Sequence, residues 1–398
     1  MLTSNNDIRR FNYSNRNMSL NAPSTAYHHN NLGINATKHS SPASQIVTMS
    51  YNNGNKLLVN PLNKNKKVNI EEQDDELTNM NITTFIAKHN TLYKNFSSSF
   101  NQIIKDKTYK FNTSSASIIQ YNGHGYIMNI RIVNYCLDSR GKSSFKNGDL
   151  TVTYNKIMFL DKEMNITNSK NMITKITNHL YSGIEDIRLF PFEHNIYYTG
   201  SSFNPHTKKI QIVSGILDFT KNEFSNNYIK PSFKTTNKWE KNWVFFNNNG
   251  ELNLIYKWYP LYICKIDYAT NELHLIEEKE KEKEKLPLFF NKLRGSTNGV
   301  EYDNKFWFIT HFHKKRNKEK SQYLHCFIVF DKSMNVVGYS APFNFENYIV
   351  EYCIGMTVNA DNNEFIISYS TLDSTTKIIC LTCEYVTNLI IPYPNTMI

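Results

Sequence analysis

Nothing in this 398-residue chain approaches the roughly 18 consecutive apolar residues that a membrane helix needs. Its first residues, MLTSNNDIRRFNYSNRN, have no apolar segment of the kind that marks a secretory leader. These absences predict a chain with no membrane span, not exported by that route, and so held in the cytoplasm or carried in a virus particle. Cysteine is scarce, at six residues: Cys136, Cys264, Cys326, Cys353, Cys380 and Cys383. Only Cys380 and Cys383 have C-x-x-C spacing, and with no second such pair a zinc site is not expected. Most of the six lie in apolar runs, where a thiol behaves as a small hydrophobe. The formal charge is +10, but Lys and Arg form no stripe, so nucleic acid is not an expected partner.

Residues 1–80 are also short of apolar side chains. They are rich in Asn, Ser and Lys, with an acidic patch at Glu71, Glu72, Asp74, Asp75 and Glu76. Such a segment buries too little apolar surface to offset chain entropy, and it is expected to be a disordered or loosely attached extension. Residues 81–109 are expected to form a helical or irregular lead-in, with an amphipathic element between Ile82 and Ile104. From 110 to 398 the pattern changes to short runs rich in Ile, Val, Tyr and Phe, broken by Asn-Gly, Asn-Asn and Asp-Lys turn signals. SIIQYNGHGYIMNIRIVNY, IRLFPFEHNIYYTGSS, WVFFNNNGELNLIYKW and VEYDNKFWFITHF each place two strand patterns around a short polar turn, as a hairpin does. The alternating run from Glu277 to Lys285 is expected to be a solvated loop.

Polar clusters recur beside these strands. Anchored on Arg131, Asp186, Lys241, Arg294 and Glu351, they stand 53 to 57 residues apart, slightly more than the roughly 40–50 residues of a four-stranded blade. The spacing predicts an all-β chain folded as a five-bladed β-propeller, with the clusters converging on one axis. A two-sheet sandwich has the same turn spacing and stays open at this point.

The clusters contain a limited set of chemistry. Arg131 ends an apolar strand, Glu185, Asp186 and Arg188 lie in GIEDIR, and Lys241 sits between Trp239 and Trp243. Arg294, His311 and Tyr323 come from the fourth unit, and Glu351 and Asp373 from the fifth. Glu185 and Asp186 are neighbours on a strand, so only one of them is expected to face the axis. Guanidinium and ammonium groups clamp anionic oxygens, while Tyr and Trp faces cover the C–H surface of a sugar. Plain glycoside hydrolysis takes two carboxylates. Here basic groups outnumber acidic ones, which favours a sugar or glycan handled together with phosphate or a nucleotide-sugar. No cofactor and no metal is implied.

In order and wording the clusters resemble glycoside hydrolase family 130, the β-mannoside phosphorylases, and their relatives in glycosyltransferase family 108. The resemblance rests on Ala116 to Ile119 leading to Arg131, on Glu185-Asp186-Ile187-Arg188 against the family's Glu-Asp-Pro-Arg, on Lys241, on Thr310 and His311, and on Ser368, Tyr369, Ser370 and Asp373. It implies an inverting single displacement with Asp186 as general acid, acting through a sugar hydroxyl. It further implies sugar contacts from Arg131, Glu185, Arg188 and Asp373, with Arg131 and Arg188 either touching sugar or holding Asp186, and a phosphate side made by Lys241, Arg294, His311 and Tyr323. The chain departs from the family in having Ile187 for the proline and no opening Asn-Pro. Two other classes fit the same residues. One is a non-catalytic propeller that binds glycans or proteins, and the other is an invertase-type hydrolase using Asp186, Glu351 and Asp373.

Overall fold

The computed structural model describes residues 83–84 and 93–393, except 122–124, 146–149, 175, 177–179, 226, 238, 280–285 and 318–319. The expected extension over 1–80 lies outside the described residues. The rest is nearly all strand, gathered into five sheets that follow one another along the chain.

The first sheet is built on Ser99–Ile104, Lys107–Tyr121, Gly125–Val133, Thr151–Leu160 and Ile166–Met172. Ile184–Phe192, Asn195–Asn204 and Lys209–Ile216 make the second, and Val244–Asn248, Glu251–Trp258, Leu261–Asp267 and Glu272–Lys279 the core of the third. The fourth centres on Lys305–Asn317 and Lys320–Phe330, flanked by Arg294–Gly295, Val300–Tyr302 and Val336–Ser340. Glu351–Asn359, Glu364–Thr371 and Lys377–Thr382 form the fifth. Successive strands pair antiparallel. The ends of the described chain are stitched into this array: Tyr93–Asn95 pairs with Lys377–Thr382, and Ile390–Pro392 with Val336–Ser340.

Tight turns close the hairpins where the backbone must go left-handed. Asp303 and Asn304 have φ of 51° and 54°, and Lys105 and Asp106 have 49° and 63°. Two consecutive positive φ values are the mark of the two-residue turn whose twist matches the flanking strands. A second device recurs almost verbatim. Asp161-Lys162-Glu163-Met164-Asn165 and Asp331-Lys332-Ser333-Met334-Asn335 each close on a bond from the Met N–H to the Asp carbonyl, 3.0 Å in both. In each, the Asp carboxylate accepts from the Asn backbone and side-chain amides, and a Met at positive φ plugs into the core.

Two expectations need correcting. The 81–109 lead-in is strand where it is described, because Ser99–Ile104 pairs along Lys107–Asn112 and a left-handed turn at Lys105–Asp106 joins them. The Glu277–Lys285 run begins as strand, since Glu277, Glu278 and Lys279 pair with Ile263, Tyr262 and Leu261; its later residues are outside the described set.

Five apolar clusters hold the sheets together, and each draws on two of them. Ile119, Ile127, Ile187 and Tyr198 join the first and second sheets. Phe190, Ile212, Trp243 and Phe245 join the second and third, and Phe246, Trp258, Phe308 and Phe330 the third and fourth. Trp307, Phe327, Phe365 and Tyr369 join the fourth and fifth. The last cluster, with Ile118, Met128, Ile366 and Ile378, brings the fifth back onto the first. The contact order is therefore cyclic. A fully buried Phe or Ile is worth roughly 1.5–3 kcal/mol, so each seam is a substantial attachment. The strands Lys107–Tyr121, Ile184–Phe192 and Glu351–Asn359, from three different sheets, touch one another. That contact places the middle of the cycle on these strands.

Candidate functional site

Irregularities in two hairpins set up the polar centre. In the first sheet the register slips between Thr113 and Ala116, so that Ser114 and Ser115 together oppose the single residue Arg131. In the second it slips between Thr199 and Ser201, so that Asp186 and Ile187 oppose Gly200. A bulge of this kind re-aims side chains that a regular strand would send to opposite faces. Asp186 takes φ 53° there, a strained value for a residue with a Cβ. Gly200 lacks a side chain for a steric reason, because a Cβ would lie 2.5 Å from Ile184 Cγ2.

Arg131 is buried and meets both acids of the signature. Its Nη1 donates to Asp186 Oδ1 at 3.0 Å, and its Nη2 lies 3.5 Å from Glu185 Oε1 and donates to Tyr135 Oη at 2.9 Å. Glu185 Oε2 in turn accepts from Lys241 Nζ at 3.2 Å. Glu185 and Asp186 therefore both serve this centre, against the expectation that only one would. The bulge at Asp186 breaks the strand alternation on which that expectation rested.

Arg188, which the resemblance leaves either touching sugar or holding Asp186, makes contacts of the second kind. It is 1% exposed, and its guanidinium is taken up by protein acceptors. Nε donates to Ser296 O at 2.6 Å, Nη1 to Asp186 O at 3.0 Å, and Nη2 to Tyr352 Oη at 2.9 Å, with Asn242 Oδ1 and Gly295 O slightly farther. One side chain of the second sheet thus reaches the fourth and fifth sheets and the segment leading into the third.

Asp373 completes the acidic set from the turn after Glu364–Thr371. Its Oδ1 accepts from Ser114 Oγ at 3.1 Å, while Asp186 Oδ1 accepts from Ser115 Oγ at 3.1 Å. The two acids differ electrostatically. Burial alone would raise Asp186, but Arg131, then Arg188 and Lys241, outweigh it and hold its carboxyl below the usual range. Burial raises Asp373 above the usual range, with the charge of Asp186 adding to it and Arg131 only partly opposing it. Glu185, then Asp186, keep Lys241 firmly charged against the pull of burial.

Lys241 also opens onto a groove of about 360 Å³ between the third and fourth sheets, lined in part by Trp239, Tyr256, Lys257, Tyr259 and Arg294. Trp239 is 58% exposed and Arg294 is exposed as well. His311, expected on the phosphate side, carries no charge to it. It is buried, its Nδ1 is 2.9 Å from Ser296 Oγ, and burial, with His325, His313 and Arg188 adding, pushes its pKa well down, so the ring is neutral. Tyr323 stacks near it at 6.0 Å and faces Tyr352 edge-on.

Glu351 stands apart from these groups. Its carboxylate accepts from the backbone N–H groups of Phe345, Glu346 and Tyr348, at 2.5, 2.9 and 2.8 Å. It clamps a loop, which removes the third acid of the invertase-type arrangement. Ser114, Ser115, Asn242 and Tyr352 were not legible as site residues, because each depends on a bulge or a neighbouring sheet. Among the described residues no three His, Cys, Asp or Glu side chains are grouped to hold a metal ion.

No protein-family model matches the chain, and no curated protein matches it in sequence. Solved structures do. A glycosyl hydrolase from Bacteroides ovatus matches with TM-score 0.47 and 9% identity, over 72% of this chain and 89% of that one. MPT-4, a mannose phosphorylase from Leishmania mexicana in complex with phosphate, matches with TM-score 0.44 and 10% identity, over 81% and 96%. The GH43_1 enzyme from Xanthomonas citri, complexed with xylotriose, matches with TM-score 0.43 and 9% identity, over 72% and 89%.

Proposed function

We propose that the five sheets are the blades of a β-propeller and that its polar centre carries out an inverting glycosyl transfer between a sugar, mannose-like in stereochemistry, and phosphate or a nucleoside diphosphate. The observation that carries this reading is the division of charge across one centre. Glu185, Asp186 and Asp373 stand on one side, while Lys241 leads to Arg294 and Lys257 on the other. A sugar seated on the acids has its anomeric carbon facing the cations, which hold the anionic leaving group.

Asp186 is the proton-handling carboxylate. As a resting anion it begins as a base. It accepts the proton of an acceptor hydroxyl as that oxygen bonds to the anomeric carbon and the bond to phosphate breaks, the electron pair leaving with the phosphate. Run backwards, the same carboxyl is the general acid expected from the sequence. Ile187 replaces the family proline without loosening this acid. It is fully buried between the first two sheets, and Asp186 is held by Arg131 and Ser115.

Turnover of mannose 1-phosphate, nucleoside-diphosphate mannose, and β-mannosides with phosphate provides the test. Asp186→Asn is expected to lower the rate about 10²–10⁴-fold, the usual range for a positioned acid or base. A folded Asp186→Asn protein with undiminished rate overturns the role. Sugar binding by wild type without turnover of any donor leaves a glycan-binding propeller instead.

A further inference from the structure

Ser114 and Ser115 are consecutive, fully buried residues whose hydroxyls bond carboxylates from two different sheets. Regular strand geometry sends consecutive side chains to opposite faces. The slip opposite Arg131 brings them to the same task, and the Thr376 hydroxyl, donating to Ser114 O, ties the bulge to the turn that carries Asp373. In both acids Oδ1 takes the serine, and no hydrogen bond within the protein occupies Oδ2 among the described residues. Asp186 and Asp373 are both at positive φ, 53° and 49°, so each backbone is strained into place.

We infer that the Ser114–Ser115 bulge is a positioning element: it fixes one oxygen of Asp186 and one of Asp373, so that the two remaining oxygens face the substrate as a matched pair of acceptors. The ligand class this pair takes is a neutral polyol with adjacent hydroxyls, one bound at each carboxylate. The inference rests on the proposed sugar-handling site, but the device can be read without turnover. The groups facing Asp186 are Arg131, Arg188, Lys241, Glu185, Asp373, Tyr135, Tyr323 and Tyr352, and those facing Asp373 are Arg131, Asp186, Glu185, Tyr135 and Tyr323. None of these changes in a serine variant, so each hydroxyl is isolated by substitution.

The test is a titration of the Asp carboxyl carbons by ¹³C NMR in the free, full-length protein, with signals assigned through Asp186→Asn and Asp373→Asn. Each serine hydroxyl favours the ionised form of its own acid, so Ser115→Ala is expected to raise the Asp186 midpoint more than that of Asp373, and Ser114→Ala the reverse. Ser115→Thr and Ser114→Thr keep a hydroxyl and are expected to restore each value. They also serve as the second measurement if an alanine variant is unfolded. Unmoved midpoints, or the same shift in both acids from either serine, overturn the inference. If the selective shifts appear but no sugar donor is turned over, the positioning element stands and the proposed reaction falls. If turnover is present, Ser115→Ala is expected to lower kcat with little change in KM and to displace the acid limb of the pH profile upward.

Discussion

Arg131 and Asp186 lie 55 residues apart in the chain, and Nη1 of one meets Oδ1 of the other at 3.0 Å in the buried centre. Their side chains are 4% and 13% exposed, so solvent screens the pair weakly. Removing one partner of such a pair leaves an uncompensated buried charge, which costs about 3–5 kcal/mol. Arg131→Met and Asp186→Asn are each expected to destabilise the fold by an amount of that order, less for Asp186→Asn because asparagine still accepts from the guanidinium. Combining Arg131→Met with Asp186→Leu is expected to cost less than the sum of the two single changes. Urea unfolding of the four proteins of the Arg131→Met and Asp186→Leu cycle measures the coupling, and strict additivity refutes the pairing.

Arg188 is expected to behave as a structural hub. Lysine offers one ammonium where the guanidinium reaches Ser296, Asp186, Asn242, Gly295 and Tyr352. Arg188→Lys therefore strands several buried acceptors, each worth about 1–3 kcal/mol when unsatisfied. A large drop in the urea midpoint is expected, whether or not sugar is present. An Arg188→Lys protein as stable as wild type that only binds sugar more weakly would make Arg188 a sugar contact instead.

That the chain is a succession of antiparallel hairpins was legible in the sequence, but the phase of the clusters on them was not. Of the five anchors, Asp186 and Arg294 lie in the first strands of their sheets, and Glu351 opens one. Arg131 lies in the third strand of its sheet and reaches the centre because its side chain is long, while Lys241 precedes the strand Val244–Asn248. Charge pattern reports which residues face inward only where strands alternate regularly, and the two bulges that build this site break that alternation. Asp186 and Glu185 were found because their residue types are unusual in an apolar strand. Ser114 and Ser115 were missed because serine in a strand is ordinary. Glu351 misled because a buried loop clamp and an active acid look the same in one dimension. The paired Asp-Lys-x-Met-Asn turns are a clear internal repeat, and they join Thr151–Leu160 to Ile166–Met172 and Lys320–Phe330 to Val336–Ser340 without contributing to the polar centre.

Asp373 gives a prediction in which stability and function part. Its carboxyl is raised in the folded protein, so the folded state binds that proton more tightly than the unfolded chain does. Its favourable contribution is complete below the ordinary carboxyl range, near about 4, and is lost as pH rises through the raised folded value. Above that value the ionised side chain is a net burden. Asp373→Asn is expected to be more stable than wild type at pH 7, with the advantage shrinking as the pH falls towards 4, while sugar binding weakens. Thermal midpoints across that range, paired with sugar titrations, measure both, and a loss of stability at pH 7 contradicts the electrostatic account.

His325 is fully buried between Phe343 and Phe345, with ring centroids 5.8 and 5.1 Å away, and neither ring nitrogen meets a polar partner among the described residues. Burial lowers its pKa to about 3. The sign follows from the neutral form being the folded one: the unfolded imidazole, titrating near about 6.5, takes up a proton that the folded ring refuses. Stability from this residue is therefore complete above the ordinary histidine value and is lost as pH falls towards the folded value. Over most of that window one proton separates the two states, which corresponds to a slope of about 1.4 kcal/mol per pH unit. His325→Phe fills the same slot with a ring that does not titrate, so its stability relative to wild type is expected to rise by that slope from pH 6 to pH 4. His313, also lowered by burial, keeps its own acid sensitivity in both proteins and cancels in the difference; His311, lowered mainly by burial and further by His325, cancels as long as its ring stays neutral. Urea unfolding of the two proteins at three pH values in that interval decides it, because a difference that does not vary with pH means that the buried ring is already paired or already charged.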